Sequence, residues 1–73
     1  NDIEWQELNA IIKKLLKTLP ENQRIVLALR DLDGLEFAEI ATATGLKTEH
    51  IRVLLSRARK QISSKLKQIY SYE

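Results

Sequence analysis

The segment from Lys47 to Lys60 reads KTEHIRVLLSRARK and carries five of the twelve Lys and Arg residues, together with the only histidine, His50. Guanidinium and ammonium groups at this density suit the binding of an anion. Long cations reach phosphate oxygens or guanine edges, and short side chains such as Thr48 and Ser56 let a helix approach a groove closely. On a helical wheel centred on Ile51, Arg59 and Arg52 lie about 80° and 100° round. Ser56, Lys60, Val53, Arg57 and His50 continue from about 140° to 260°. Val53 stands nearly opposite the apolar stripe. Such a residue can meet a thymine methyl, or be one of the single apolar residues ordinary on surfaces. His50 fits a base or phosphate contact and equally a plain surface position.

Other chemistries find little to build on. The sequence has no cysteine, so it offers neither a disulfide framework nor a thiolate metal site. A single histidine cannot make a histidine-rich zinc site, and we expect no metal and no cofactor. Two glycines and no phosphate-cradling loop argue against an enzyme and against a small-molecule substrate. Asp31, Asp33 and Glu36 gather round a turn, where helix termination and capping explain them. The longest apolar run is Ile25 to Leu29, far short of the roughly 20 residues of a membrane span, so no membrane insertion is expected.

The formal net charge of +2 hides an asymmetry. Residues 1–46 carry five Lys and Arg against eight Asp and Glu, a net of −3, whereas residues 47–73 carry seven against two, a net of +5. A basic segment on a nearly neutral domain points to a localised anionic partner, nucleic acid first and an acidic protein second.

The elements that must hold this segment are helices. Leu8, Ile11, Ile12, Leu15, Leu16 and Leu19 recur at spacings of three and four, and Trp5 extends that stripe. Pro20 breaks the pattern and suits the first turn of a second helix, whose inner face is Ile25, Val26, Leu29 and Leu32. Asp31 to Gly34 stops it, with Gly34 free to take positive φ. A third helix runs from about Glu36 to Thr44, anchored by Phe37, Ile40 and Ala41. A fourth begins near Thr48 and reaches about Ile69. Ile51, Leu54, Leu55, Ala58, Ile62, Leu66 and Ile69 fall in an arc of about 120°. Nothing alternates at period two, so no strand and no wing is expected. The expected fold is all-α: four helices in one domain over residues 1–73, with a thin core and marginal stability. The sequence starts at Asn1 rather than Met, and we expect a fragment of a longer protein.

The third and fourth helices, residues about 36–60, have the dimensions of a helix-turn-helix. Its geometry needs a small residue at the helix crossing, supplied by Ala41, and a residue tolerant of positive φ in the tight turn, supplied by Gly45. Ile40, Leu46, Ile51 and Leu54 are the apolar residues that lock the crossing. The fourth helix is then the recognition helix, with Lys47 and Thr48 at its start.

Taken together, Leu19-Pro20-Glu21, Arg24 to Arg30, Asp33 to Ala41, Gly45-Leu46 and Ser56-Arg57-Ala58-Arg59-Lys60 resemble region 4 of bacterial sigma factors, most closely the extracytoplasmic-function group. The likeness covers about residues 18–66. The joint occurrence of LP, DG, EIA, G and SRAR is far more specific than any one piece. Residues 1–17 would be the end of a linker plus the first helix, with the polymerase-core-binding region 2 upstream. The resemblance implies a cytoplasmic, nucleoid-associated module that reads the promoter minus-35 element in duplex DNA. It also implies docking on the β flap of the RNA polymerase core and masking by an anti-sigma factor. Carried over residue by residue, base contacts fall on Arg52, Val53, Ser56 and Arg57. Backbone contacts fall on Arg59, Lys60 and the start of the third helix near Phe37.

The sequence departs from the family pattern at Glu36, where Ser or Thr usually caps the third helix, at His50 for a usual Thr, at Val53 for a small polar residue, and at Leu54 for a frequent Arg. These changes fall on the reading surface or its edge and bear on which DNA sequence is read. Two other readings fit parts of the pattern. One is the helix-turn-helix output domain of a response regulator, which would dimerise on two half-sites. The other is a helical protein-interaction module with no DNA contact.

Overall fold

The structure, a computed structural model, describes residues 2–70, and all its regular elements are helical. Helix α1 spans Asp2–Leu16, α2 Glu21–Leu27, α3 Phe37–Thr44 and α4 Thr48–Tyr70; a π-helical turn, Ala28–Leu32, continues α2. The expected four-helix, all-α architecture is therefore the one formed, and no strand occurs among the described residues.

The core draws on every helix. Leu16 and Leu19 end the α1 segment, Val26 and Leu27 come from α2, Ile40 from α3, and Ile51, Leu54, Leu55 and Ala58 from α4. Val26, Ile40, Ile51 and Ala58 have no exposed surface at all. All four core residues of α4 lie in its first three turns, so this half of the helix is clamped. Gln23 is the buried polar residue among the described residues, and Gln61 Nε2 donates to its Oε1 at 3.1 Å, which pins α2 to α4.

Three expectations about the apolar stripes change. Trp5 and Ile69 continue the stripes of α1 and α4 but are 64% and 45% exposed. The two helices extend beyond the core that α2 and α3 can supply, so their outer turns have little to pack against. Leu32, assigned to the inner face of α2, is 60% exposed. The cause is the π turn. The Asp33 N–H bonds the Ala28 carbonyl, five residues back, at 3.0 Å. That wider turn carries Leu32 off the stripe set by Val26 and Leu29. Leu27 takes a core place instead. Pro20 stands one residue before its expected place, at the N-cap of α2 with φ −55° and ψ 150°.

The turns obey the backbone logic of the sequence. Gly34 and Gly45 have φ of +74° and +78°. At Gly45 the N–H donates to the Ala41 carbonyl at 2.8 Å, closing α3. Thr44 Oγ1 donates to the Ile40 carbonyl at 2.7 Å and accepts the Leu46 N–H at 3.2 Å, fixing the exit from that turn. A Cβ at Gly45 would meet nothing within 4 Å, so Gly45→Ala isolates the backbone penalty. It should lower stability by about 1–2 kcal/mol, read as a reduced urea midpoint with unchanged slope.

Candidate nucleic-acid interface

Glu36 caps α3 from extended backbone, φ −75° and ψ 158°. A glutamate replaces the usual hydroxyl here, and Glu39 helps: its Oε1 accepts the Glu36 N–H at 2.7 Å, the return half of a capping box. The start of α3 is held a second time. Arg30 Nη1 donates to the Leu35 carbonyl at 2.8 Å and approaches Glu36 Oε1 at 3.3 Å. Helix α4 then starts at Thr48, with the Lys47 carbonyl accepting the Ile51 N–H at 2.9 Å. Leu54, where the family pattern has an arginine, is buried in the core.

With Ile51, Leu54, Leu55 and Ala58 turned inward, the opposite face of α4 is open. His50, Val53, Ser56, Arg57 and Lys60 are all exposed, as are Lys47 and Thr48 at the helix start. Val53 is 43% exposed and buries nothing in the core. Among the described residues no ion pair engages Arg57 or Lys60. They share a shallow groove with Ser64 and Gln68 on the outer side of α4.

Two sequence-derived candidates have partners of their own. Arg59 Nε and Nη2 donate to Asp31 Oδ2 and Oδ1 at 3.0 and 2.6 Å, a two-pronged pair between α4 and the π turn. The carboxylate raises the Arg59 pKa above its ordinary value. A surface pair of this kind is worth about 0–1 kcal/mol, and a phosphate can claim Arg59 only by displacing or sharing Asp31. Phe37 is half-buried, and the Arg30 and Arg52 guanidinium carbons sit over its ring, 5.2 and 5.5 Å from the centroid.

The open face also contains a residue that the sequence analysis counts in the net charge but does not place there. Glu49 lies in the first turn of α4 and is exposed. On the wheel it falls between Ser56 and Lys60. Its own backbone N–H, the Thr48 hydroxyl at 3.1 Å and the Arg52 charge hold its carboxyl below the ordinary range. The open face of α4 is therefore basic with one anion, and a carboxylate can accept from a cytosine amino group.

An open apolar groove also runs between α1 and α4. Trp5, Ile12, Leu27, Leu32, Ile62 and Leu66 line it, with the Asp31–Arg59 pair at its rim. No group of three or more His, Cys, Asp or Glu side chains gathers among the described residues. None of the described helices is long and apolar enough to cross a membrane.

Residues 9–62 match the family described as Sigma-70, region 4. Curated relatives named ECF RNA polymerase sigma-E factor, from Escherichia coli strain K12 and Salmonella typhi, are 36% identical over 61 residues, 84% of this chain and 32% of theirs. The protein of the same name from Haemophilus influenzae is 30% identical over 66 residues, 90% of this chain and 35% of its own. The chain thus spans about a third of the length of the curated relatives it matches.

Proposed function

Because the chain belongs to the sigma-70 region 4 family, of the ECF type, we propose that it is the non-enzymatic DNA-binding module of a sigma factor, reading the promoter minus-35 element in transcription initiation. The observation that carries this reading is the α4 face opposite the core, where Arg57 and Lys60 stand exposed beside Val53 and Ser56. Helix α4 enters the major groove. Arg52, Val53, Ser56 and Arg57 face base edges, and Lys47, Thr48, His50 and Lys60 face the backbone. Arg59 joins them when a phosphate draws it from Asp31. Each lost phosphate contact lowers the slope of log K against log[salt] by about 0.9. Lys60→Ala should show that full loss. Arg59→Ala should show less, because its charge is already paired. Equal slope changes would mean that Asp31 releases Arg59 completely on the duplex.

The apolar groove between α1 and α4 is the proposed seat of the polymerase core, through its β flap. It adjoins the reading face at Arg59 and leaves Trp5 and Leu32 largely uncovered, at 64% and 60%. An anti-sigma factor would compete for this groove or for the reading face. Trp5 is the only tryptophan, so its emission reports on the groove directly. Adding the isolated β flap should shift that emission to the blue, and Leu32→Asp should abolish the shift without altering DNA binding. An unshifted emission at saturating flap would place the contact elsewhere. The setting of this reading is the cytoplasm, where promoter DNA and polymerase meet.

A further inference from the structure

The Phe37 side chain has no hydrogen-bonding group, so only its backbone N–H, in the first turn of α3, could meet a phosphate. Its surroundings assign it other work. It is the first residue of α3, half-buried and packed against the core edge. Its ring lies under the guanidinium carbons of both Arg30 and Arg52. Arg30 is immobilised from behind by the Leu35 carbonyl at 2.8 Å and by Glu36 at 3.3 Å. Glu36 also offsets the Arg30 charge, which allows two cations to share one aromatic ring. Arg52 has no comparable anchor on α4. It is exposed at the second turn of that helix, and the ring of Phe37, 5.5 Å away, crosses to it from α3.

We propose that Phe37 is a positioning residue: its ring, braced by Arg30, pre-sets the Arg52 guanidinium in the direction of the duplex. The proposal rests on the reading of α4 as the recognition helix. An unrestrained arginine loses rotamer freedom when it grips a base or phosphate, and a side chain already stacked in place loses less. A guanidinium over an aromatic face is attracted by the ring quadrupole and keeps its outer N–H groups free for a second partner. The departure at Glu36 therefore bears on reading through Arg52.

The test separates the ring's electronics from its bulk. Phe37→Leu keeps an apolar side chain against the core but removes the π face; Phe37→Tyr keeps the face. Each is made alone and with Arg52→Ala. Binding of the chain to a duplex bearing a sigma-type minus-35 element, and to a shuffled duplex, is followed by anisotropy alongside thermal melting. Phe37→Leu should weaken binding to the specific duplex about two- to fivefold. Phe37→Tyr should restore it, and neither should change binding further once Arg52 is alanine. Undiminished binding by Phe37→Leu would overturn the proposal, as would an equal loss in the Arg52→Ala background. Should Phe37→Leu not fold, Phe37→Trp carries the test. The stronger cation–π ring should hold or tighten specific binding only while Arg52 is present, and the same gain without Arg52 would overturn the proposal. If the unaltered chain does not distinguish the two duplexes, the reading of α4 fails first and this proposal falls with it.

Discussion

Ile51→Ala should leave the domain largely unfolded near physiological temperature. Ile51 has no exposed surface, and with Ile40 and Val26 it is among the largest side chains buried completely. Removing a buried isoleucine to alanine costs about 2–5 kcal/mol, the spread reflecting how far the site collapses. A domain of this size has about 3–5 kcal/mol from its single core. Ile51 also joins the inner face of α4 to α3 at the crossing of the helix-turn-helix, where Ala41 and Leu46 already pack closely. Collapse into the vacancy would therefore tilt α4 and disturb the reading face with the core. Thermal melting followed by circular dichroism should show the midpoint falling by more than about 10 °C, or the cooperative transition vanishing. Val53→Ala, two residues on, is the control. Val53 is 43% exposed, and its loss should change stability by no more than about 0.5 kcal/mol. A mild effect at Ile51 would mean that α4 does not depend on α3 for its position.

The second large effect falls on binding. Arg57→Ala should weaken association with the specific duplex by about 1–3 kcal/mol, roughly five- to 150-fold, as for an arginine held in two bonds to a guanine edge. Arg57 is exposed and lies on α4 one turn beyond Val53, and among the described residues no carboxylate pairs with it. Its removal takes nothing from the core, so the melting midpoint should stay within about 2–4 °C, the equivalent of 0.5 kcal/mol. The specific and shuffled duplexes distinguish its two possible roles. A loss confined to the specific duplex marks a base contact. Equal losses on both, with a shallower salt slope, mark a phosphate contact.

Helix-forming segments were plain in the sequence because their signals are local. Spacings of three and four placed all four helices, and the need for positive φ placed Gly34 and Gly45. The face of α4 was legible for the same reason: once Ile51, Leu54, Leu55 and Ala58 turn inward, the direction of Val53 and Arg57 follows from 3.6 residues per turn. The π turn was not legible, because Ala28 to Leu32 contains no Gly or Pro to announce it. The widening that exposes Leu32 is a choice between carbonyls of adjacent residues. The stripes of α1 and α4 also said nothing of where the core ends. Trp5 and Ile69 satisfy the periodicity, but burial needs an opposing surface, which α2 and α3 are too short to provide. Contacts between distant positions were invisible in principle. Arg59 looked like an outward cation until Asp31, 28 residues away, took both prongs of its guanidinium. The stacking of Arg52 on Phe37 likewise joins two helices whose relative placement only the fold supplies. Glu49 was legible from the wheel; it entered the net charge of residues 47–73 but was not placed on the face of α4.

Whether the open face of α4 reads a base sequence is tested most directly by one titration. Fluorescence anisotropy compares the chain on a duplex bearing a sigma-type minus-35 element with a shuffled duplex of equal length, across a series of salt concentrations. Tighter binding to the specific duplex at every salt concentration, with both affinities falling as salt rises, is the expected result. Equal affinities that fall together with salt would contradict it, leaving α4 as a basic helix that attracts polyanions without reading them.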